Sequence, residues 1–153
     1  MLILLSILIG IVAGLRAMTA PAAVAWGAYL GWFDISQSSL SFMGSLWAVT
    51  ILTGLAIVEL ITDQLPSTPS RKLPAQLGAR IATGALSGAT ITATDGMVVV
   101  GFLGGIIGAT VGTFGGAAGR ACLANRFGRD LPAALIEDFV AIALALLTAA
   151  AVS

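Results

Sequence analysis

The chain has 153 residues, 58% of them apolar and only 9% charged, with seven basic and seven acidic side chains and no histidine. Soluble proteins carry roughly 25% charged residues, so this balance excludes a soluble monomer. It also excludes a disordered chain, which needs low hydrophobicity and high charge. Zero net charge and the lack of a Lys/Arg stripe argue against a nucleic-acid partner, which leaves an integral membrane protein of one domain.

Residues 2–15 open the chain as an apolar run. No cation precedes it, and Pro21 spoils the stretch after Arg16 as a cleavage site, so it reads as a retained segment rather than a leader. As one helix, residues 1–33 would be about 50 Å long, too much for a hydrocarbon core of roughly 30 Å. Gly14, Arg16, Thr19 and Pro21 fall in the middle and predict a break there. Either helices at 1–15 and 20–33 form a hairpin with Arg16 at its tip, or one kinked helix crosses; the hairpin is the preferred reading.

Further apolar windows follow at 40–62, 77–94, 97–123 and 131–152. The first would span about 34 Å as a helix. Between them lie a Pro-rich basic loop at 64–76, a tight turn at Thr94-Asp95-Gly96, and a second basic loop at 124–130. Asp130 is placed as N-cap of the last helix, with Pro132 in its first turn. The fold class expected is therefore all-α, a polytopic transmembrane bundle of five or six helices.

Loop charge orients the bundle. Arg71, Lys72 and Arg80 cluster around the first basic loop and Arg120, Arg126 and Arg129 around the second, while Asp34 and Asp95 occupy the other turns. With these spans both basic loops share one face, expected to be cytoplasmic in a bacterial inner membrane, with the C-terminus outside.

Glycine gives the strongest packing signal. Gly104, Gly108, Gly112 and Gly116 recur every fourth residue, beside Gly101-Gly105 and Gly115-Gly119, and Gly84 and Gly88 repeat the spacing one helix earlier. Residues four apart share a helix face, so this is a glycine zipper expected to let helices approach closely, within or between subunits.

Charges at membrane depth give the functional signal. Glu59 and Asp63 share a helix face, Glu137 and Asp138 lie two turns into the last helix, and Arg80 and Arg120 end the middle spans. With Arg16 they are expected to form one cytoplasmic-side layer. Snorkelling to the interface accounts for Asp63 and Arg80. Glu137 and Asp138 point about 100° apart, so one of them is expected to face the arginines. Carboxylates this close in low dielectric resist joint ionisation, which makes Glu59, Asp63, Glu137 and Asp138 candidates for proton or ion coupling. Thr19 as N-cap and Pro21 in the first turn would begin a helix whose free N–H groups point toward Arg16, a place for an anion or for neighbouring carboxylates.

Three features carry less. Trp26, Trp32 and Trp47 include candidate interfacial anchors, and Cys122 reads as a small apolar filler. The lack of histidine and of paired cysteines excludes His-ligated zinc, His-bound haem and CxxC sites; a carboxylate-only site for a hard cation stays open, no metal or cofactor is expected, and no P-loop, Rossmann fingerprint or nucleophile elbow occurs.

The run Gly14-Leu15-Arg16-Ala17-Met18-Thr19-Ala20-Pro21-Ala22, then Glu59, Asp63, Leu65-Pro66 and Thr68-Pro69-Ser70-Arg71, and finally Gly128-Arg129-Asp130-Leu131-Pro132 with Glu137-Asp138, resembles a family of small bacterial membrane proteins catalogued as domain of unknown function 4126. The resemblance covers nearly the whole chain and implies a multi-spanning inner-membrane protein, with no catalytic role to carry over.

The function expected is a non-enzymatic transporter or channel, a homo-oligomer among membrane lipids, moving a small anionic solute, with proton coupling. Arg16, Thr19, Glu59, Arg120 and Glu137 would bind the solute. The alternatives are an assembly subunit packing through its glycine face and, last, a lipid head-group enzyme using Glu59 or Glu137 as base.

Overall fold

The computed structural model describes residues 1–65 and 73–152, which form six α-helices and no strand. They are α1 (Leu2–Leu15), α2 (Thr19–Tyr29), α3 (Leu46–Thr62), α4 (Pro74–Thr92), α5 (Val98–Phe127) and α6 (Asp130–Ala150), with short 3-10 turns at Ser41–Gly44 and Ala93–Asp95. The chain breaks between α1 and α2, where Arg16 is extended at φ −140°, ψ 111°.

Local chemistry sets the helix ends. Gly31, at φ 75°, follows α2, which therefore ends short of the expected residue 33. Ser45 is extended and its Oγ accepts the Ala48 N–H, so α3 begins at Leu46 rather than near residue 40. Pro74 begins α4 as a first-turn proline. Gly128 in the left-handed region stops α5, so Asn125–Phe127, expected in a loop, form its last turn. Asp130 is the first residue of α6 and not its cap; Arg129 occupies the cap position.

Close backbone contact organises the bundle. The first half of α5 lies between α1 and α4, α6 and α2 flank this core, and α3 rests chiefly on α2. A Cβ added at Gly108 would lie 2.1 Å from the Ile7 carbonyl oxygen, and one at Gly105 2.0 Å from that of Gly84. Gly112 meets the Ile11 carbonyl of α1 and Gly88 of α4 that of Gly101 in the same way, while Gly104 meets the Ser6 hydroxyl. The glycine face is thus occupied within the chain. Gly116 is half-buried, and Gly115 and Gly119 face open space.

Small and hydroxyl-bearing residues share the interior with Ile9, Val12, Val24, Met43 and Ile91, and many large apolar side chains lie outside. Ala13, Ala109, Ala141, Ala145 and Ala149 are buried, as are Ser87, Thr90, Thr92, Thr113 and Thr148. Each of these hydroxyls donates to the carbonyl four residues back, as Thr113 does to Ala109 at 2.8 Å and Thr148 to Leu144 at 2.7 Å. By contrast Trp47, Val99, Leu103, Phe139 and Leu147 are exposed. α5 and α6 are long and apolar enough to cross a membrane, and α1 and α3 are shorter apolar helices.

The helices bring like ends together. Met1, Trp32, Phe33, Asp34, Asp95 and Val152 border one crevice of about 570 Å³, so the chain doubles back at Arg16 as a hairpin. Here the Ser36 N–H, 2.8 Å from the Asp34 carboxylate, holds that group below the usual aspartate range. The ion-paired residues gather at the opposite end.

Candidate functional site: a charge cluster at the helix break

A helix that stops inside a protein leaves carbonyls at its end and N–H groups at the start of the next. Both sets are met here by charged side chains. Arg80 Nη1 donates to the Gly14 and Leu15 carbonyls, each at 2.7 Å, which places a cation at the negative end of the α1 dipole. The Glu59 carboxylate accepts the Ala17 and Met18 N–H groups at 2.7 and 2.8 Å, which places an anion at the positive end of α2. Of the two partners expected for these amides, an anion or a neighbouring carboxylate, the structure shows the carboxylate of Glu59, because α3 ends beside them.

Arg16 is the hub. Its side chain is 0% exposed and its two terminal nitrogens pair with Asp63 of the α3 end and Asp138 of α6. Gln64 Nε2 donates to the other Asp138 oxygen at 3.4 Å. Arg80 Nη2 lies 3.9 Å from both Glu59 and Asp63. Among the described residues two guanidiniums thus face three carboxylates. A cavity of about 410 Å³, lined by Met18, Leu55, Glu59, Thr62, Asp63 and Gln76 among others, reaches this group from outside.

Arg120 and Glu137 form a neighbouring pair. Arg120 grips Asp130 through Nε at 3.0 Å and Nη2 at 2.5 Å, and its Nη1 lies 3.6 Å from Glu137. Glu137 and Asp138 therefore both face arginines, one each, where a single contact was expected. Thr19 does not cap α2: Met18 holds that position without a side-chain bond. The Thr19 Oγ1 is buried and, among the described residues, has no hydrogen-bond partner.

Snorkelling does not describe Arg80, which is 2% exposed and bonded into the break. The missed signal is its register: Arg80, Gly84 and Gly88 are spaced by four, so the arginine belongs to the stripe that faces α1 and α5. Cys122 is exposed rather than a filler. Trp26 ties α2 to α3 through a 3.0 Å bond from its Nε1 to Thr53. Arg71 and Lys72 lie outside the described residues. Among the described residues no group of three or more His, Cys, Asp or Glu could hold a metal ion.

Hairpin, buried arginine hub and small-residue core describe a helical protein organised around a charged helix break. The chain belongs to the family described as a domain of unknown function (DUF4126), which it matches over residues 3–152. No curated protein and no solved structure matches it.

Proposed function

We propose that this protein is a polytopic inner-membrane transporter that couples movement of a small solute to uptake of a proton or small cation at the α1–α2 break. The observation that carries this reading is the buried cluster of Arg16, Arg80, Glu59, Asp63 and Asp138, three carboxylates to two arginines among the described residues, which is reached by the cavity beside Glu59 and Asp63. Charges at membrane depth are costly and mark pathways, and broken helices are where transporters hold ions and substrates. Large apolar side chains outside and small ones inside suit lipid contact.

This reading departs from an anionic solute: the α2 amides already hold Glu59, and among the described residues the cluster has three carboxylates to two arginines. Glu59 is the coupling residue best placed: it borders the cavity, and its nearest arginine contact is 3.9 Å away. Protonating it would weaken its hold on α2 and release the α3 end. Asp63 and Asp138 share the cluster charge, while Arg120 and Glu137 support it from α5 and α6. The cluster end, with Arg126 and Arg129, is the cytoplasmic one under the positive-inside rule. The open faces at Gly115 and Gly119 support a homo-oligomer as the working unit.

Proteoliposomes loaded with a pH-sensitive dye test the reading. An imposed potential should drive proton uptake that falls at least tenfold in Glu59→Gln and Asp138→Asn, both checked for folding. No uptake by the native protein across a range of imposed potentials and solutes, or equal uptake by folded variants, removes the assignment. An ion cluster that serves only to fasten the bundle would give that second result together with lowered melting temperatures.

A further inference from the structure

The two halves of α3 are held by different forces. Its start is fixed by packing: Met43 of the preceding turn and Val49 are each 1% exposed, the Ser45 Oγ accepts the Ala48 N–H, and Trp26 of α2 bonds Thr53 at 3.0 Å. Beyond Thr53 only Ala56 of α3 is buried, and Ile57, Val58 and Ile61 are exposed. Charge holds that half instead. Glu59 accepts the Ala17 and Met18 N–H groups at 2.7 and 2.8 Å, and Asp63 pairs with Arg16. Among the described residues, the charged groups around these two carboxylates are Arg16 at the break and Arg80 of α4, 3.9 Å from each. Asp138 of α6 lies beyond Arg16, and Arg120 of α5 with Glu137 lies further off.

Gly54 separates the two halves. A Cβ there would meet nothing within 4 Å, so no packing demands a glycine, and glycine inside a helix loosens the backbone. A bend of about 20° at this point moves Asp63, about 14 Å further along, by about 5 Å. The half beyond Gly54 also walls the cavity beside the cluster, through Leu55, Val58, Glu59, Thr62 and Asp63, so its displacement widens that cavity. Arginine stays charged at any working pH, which leaves the carboxylates as the groups that respond to acid. Charge-assisted hydrogen bonds are roughly twice as strong as neutral ones, and a protonated Asp63 has no ion pair with Arg16. Protonating Asp138 loosens α6 from Arg16 and leaves the α3 contacts in place.

We infer that α3 is a hinged gate: its half beyond Gly54 is latched to the helix break by Glu59 and Asp63 and swings outward when these two carboxylates take up protons. The gate is shut above their titration and open below it. As the gate of a pathway this rests on the transport reading; as an acid-released hinge it stands without it.

The test places nitroxide labels on the full chain with Cys122→Ser as background. Ile61→Cys with Leu135→Cys reports the cluster ends of α3 and α6, and Trp47→Cys with Leu147→Cys reports their other ends; all four positions are exposed. Each labelled pair is diluted with unlabelled protein in lipid nanodiscs, so that distances come from one chain. Acidifying from about pH 8 to about pH 4, across the carboxylate range, should lengthen the first distance by about 5 Å and leave the second unchanged. Glu59→Gln should lengthen the first already at about pH 8. Gly54→Ala, which stiffens the helix, should shrink the acid response. If Glu59→Gln does not fold, the acid response and its reduction in Gly54→Ala decide alone. A first distance that stays constant, an equal change in both pairs, or a full response in Gly54→Ala overturns the inference. No gradient is applied, so a fixed α3 with intact proton uptake removes the gate alone, and a moving α3 without uptake removes the transport reading alone.

Discussion

Arg16 shows what a single residue can decide. A planar guanidinium offers two terminal nitrogens in a fixed fork, so one side chain can bridge carboxylates from two helices, here Asp63 and Asp138. Lysine is a point charge and cannot reach both with the same geometry. Removing one partner of a buried ion pair leaves uncompensated charge and is destabilising by about 3–5 kcal/mol. Arg16→Gln is therefore expected to lose that much, and Arg16→Lys a smaller part of it, in unfolding followed by circular dichroism in detergent. A double-mutant cycle with Asp138→Asn should show coupling. Additive losses would mean that the two groups do not act together. The charged residues themselves were legible in the sequence, since each interrupts an apolar window. Their pairing was not, because which carboxylate meets which arginine depends on helix rotation, and Glu59 turned to backbone amides instead.

At the level of elements, spacing by four identified the glycine face of α5 but could not name what covers it. The covering stripes were present in the chain: Ser6, Gly10 and Gly14 on α1, and Arg80, Gly84 and Gly88 on α4. Gly14 drew notice as part of the break, which hid its packing role. Helix ends were legible where glycine or proline marks them and shifted where a serine cap or an extended residue intervened. Position along α5 now predicts the effect of substitution. At Gly108 a Cβ would lie 2.1 Å from a backbone oxygen of α1, and backbone cannot give way as a flexible side chain can. Gly108→Ala should separate α1 from α5 and lower the melting temperature sharply, with the loss also seen in monomeric protein. At Gly119 a Cβ meets nothing within 4 Å of the single chain, so Gly119→Ala should keep or raise the stability of monomeric protein, by up to about 1 kcal/mol from helix propensity. Equal effects at the two sites in thermal unfolding would contradict this division of α5.

For the whole molecule, the hairpin at Arg16 fixes how the remaining helices alternate. Asp34 lies at the end shared by Met1, Asp95 and Val152, whereas Asn125 lies on the last turn of α5, beyond the Arg120–Asp130 pair at the other end. Between Asp34 and Asn125 the chain runs through α3, α4 and α5. Three crossings are an odd number, so the two positions must face opposite sides of the membrane if each helix spans it. The helices differ in how easily they do so: α5 is about 45 Å long and α3 about 26 Å, near the roughly 30 Å core. Both positions are exposed, which makes them suitable for labelling. With Cys122→Ser as background, Asp34→Cys should react with a membrane-impermeant maleimide applied to spheroplasts. Asn125→Cys should react only after permeabilisation if, as proposed, the adjacent Arg126 and Arg129 hold that end in the cytoplasm. Reversed labelling would keep the alternation and invert the orientation. Labelling of both from one side would show that α3, α4 and α5 do not make three crossings, and the charge cluster would then have to be placed at a different depth.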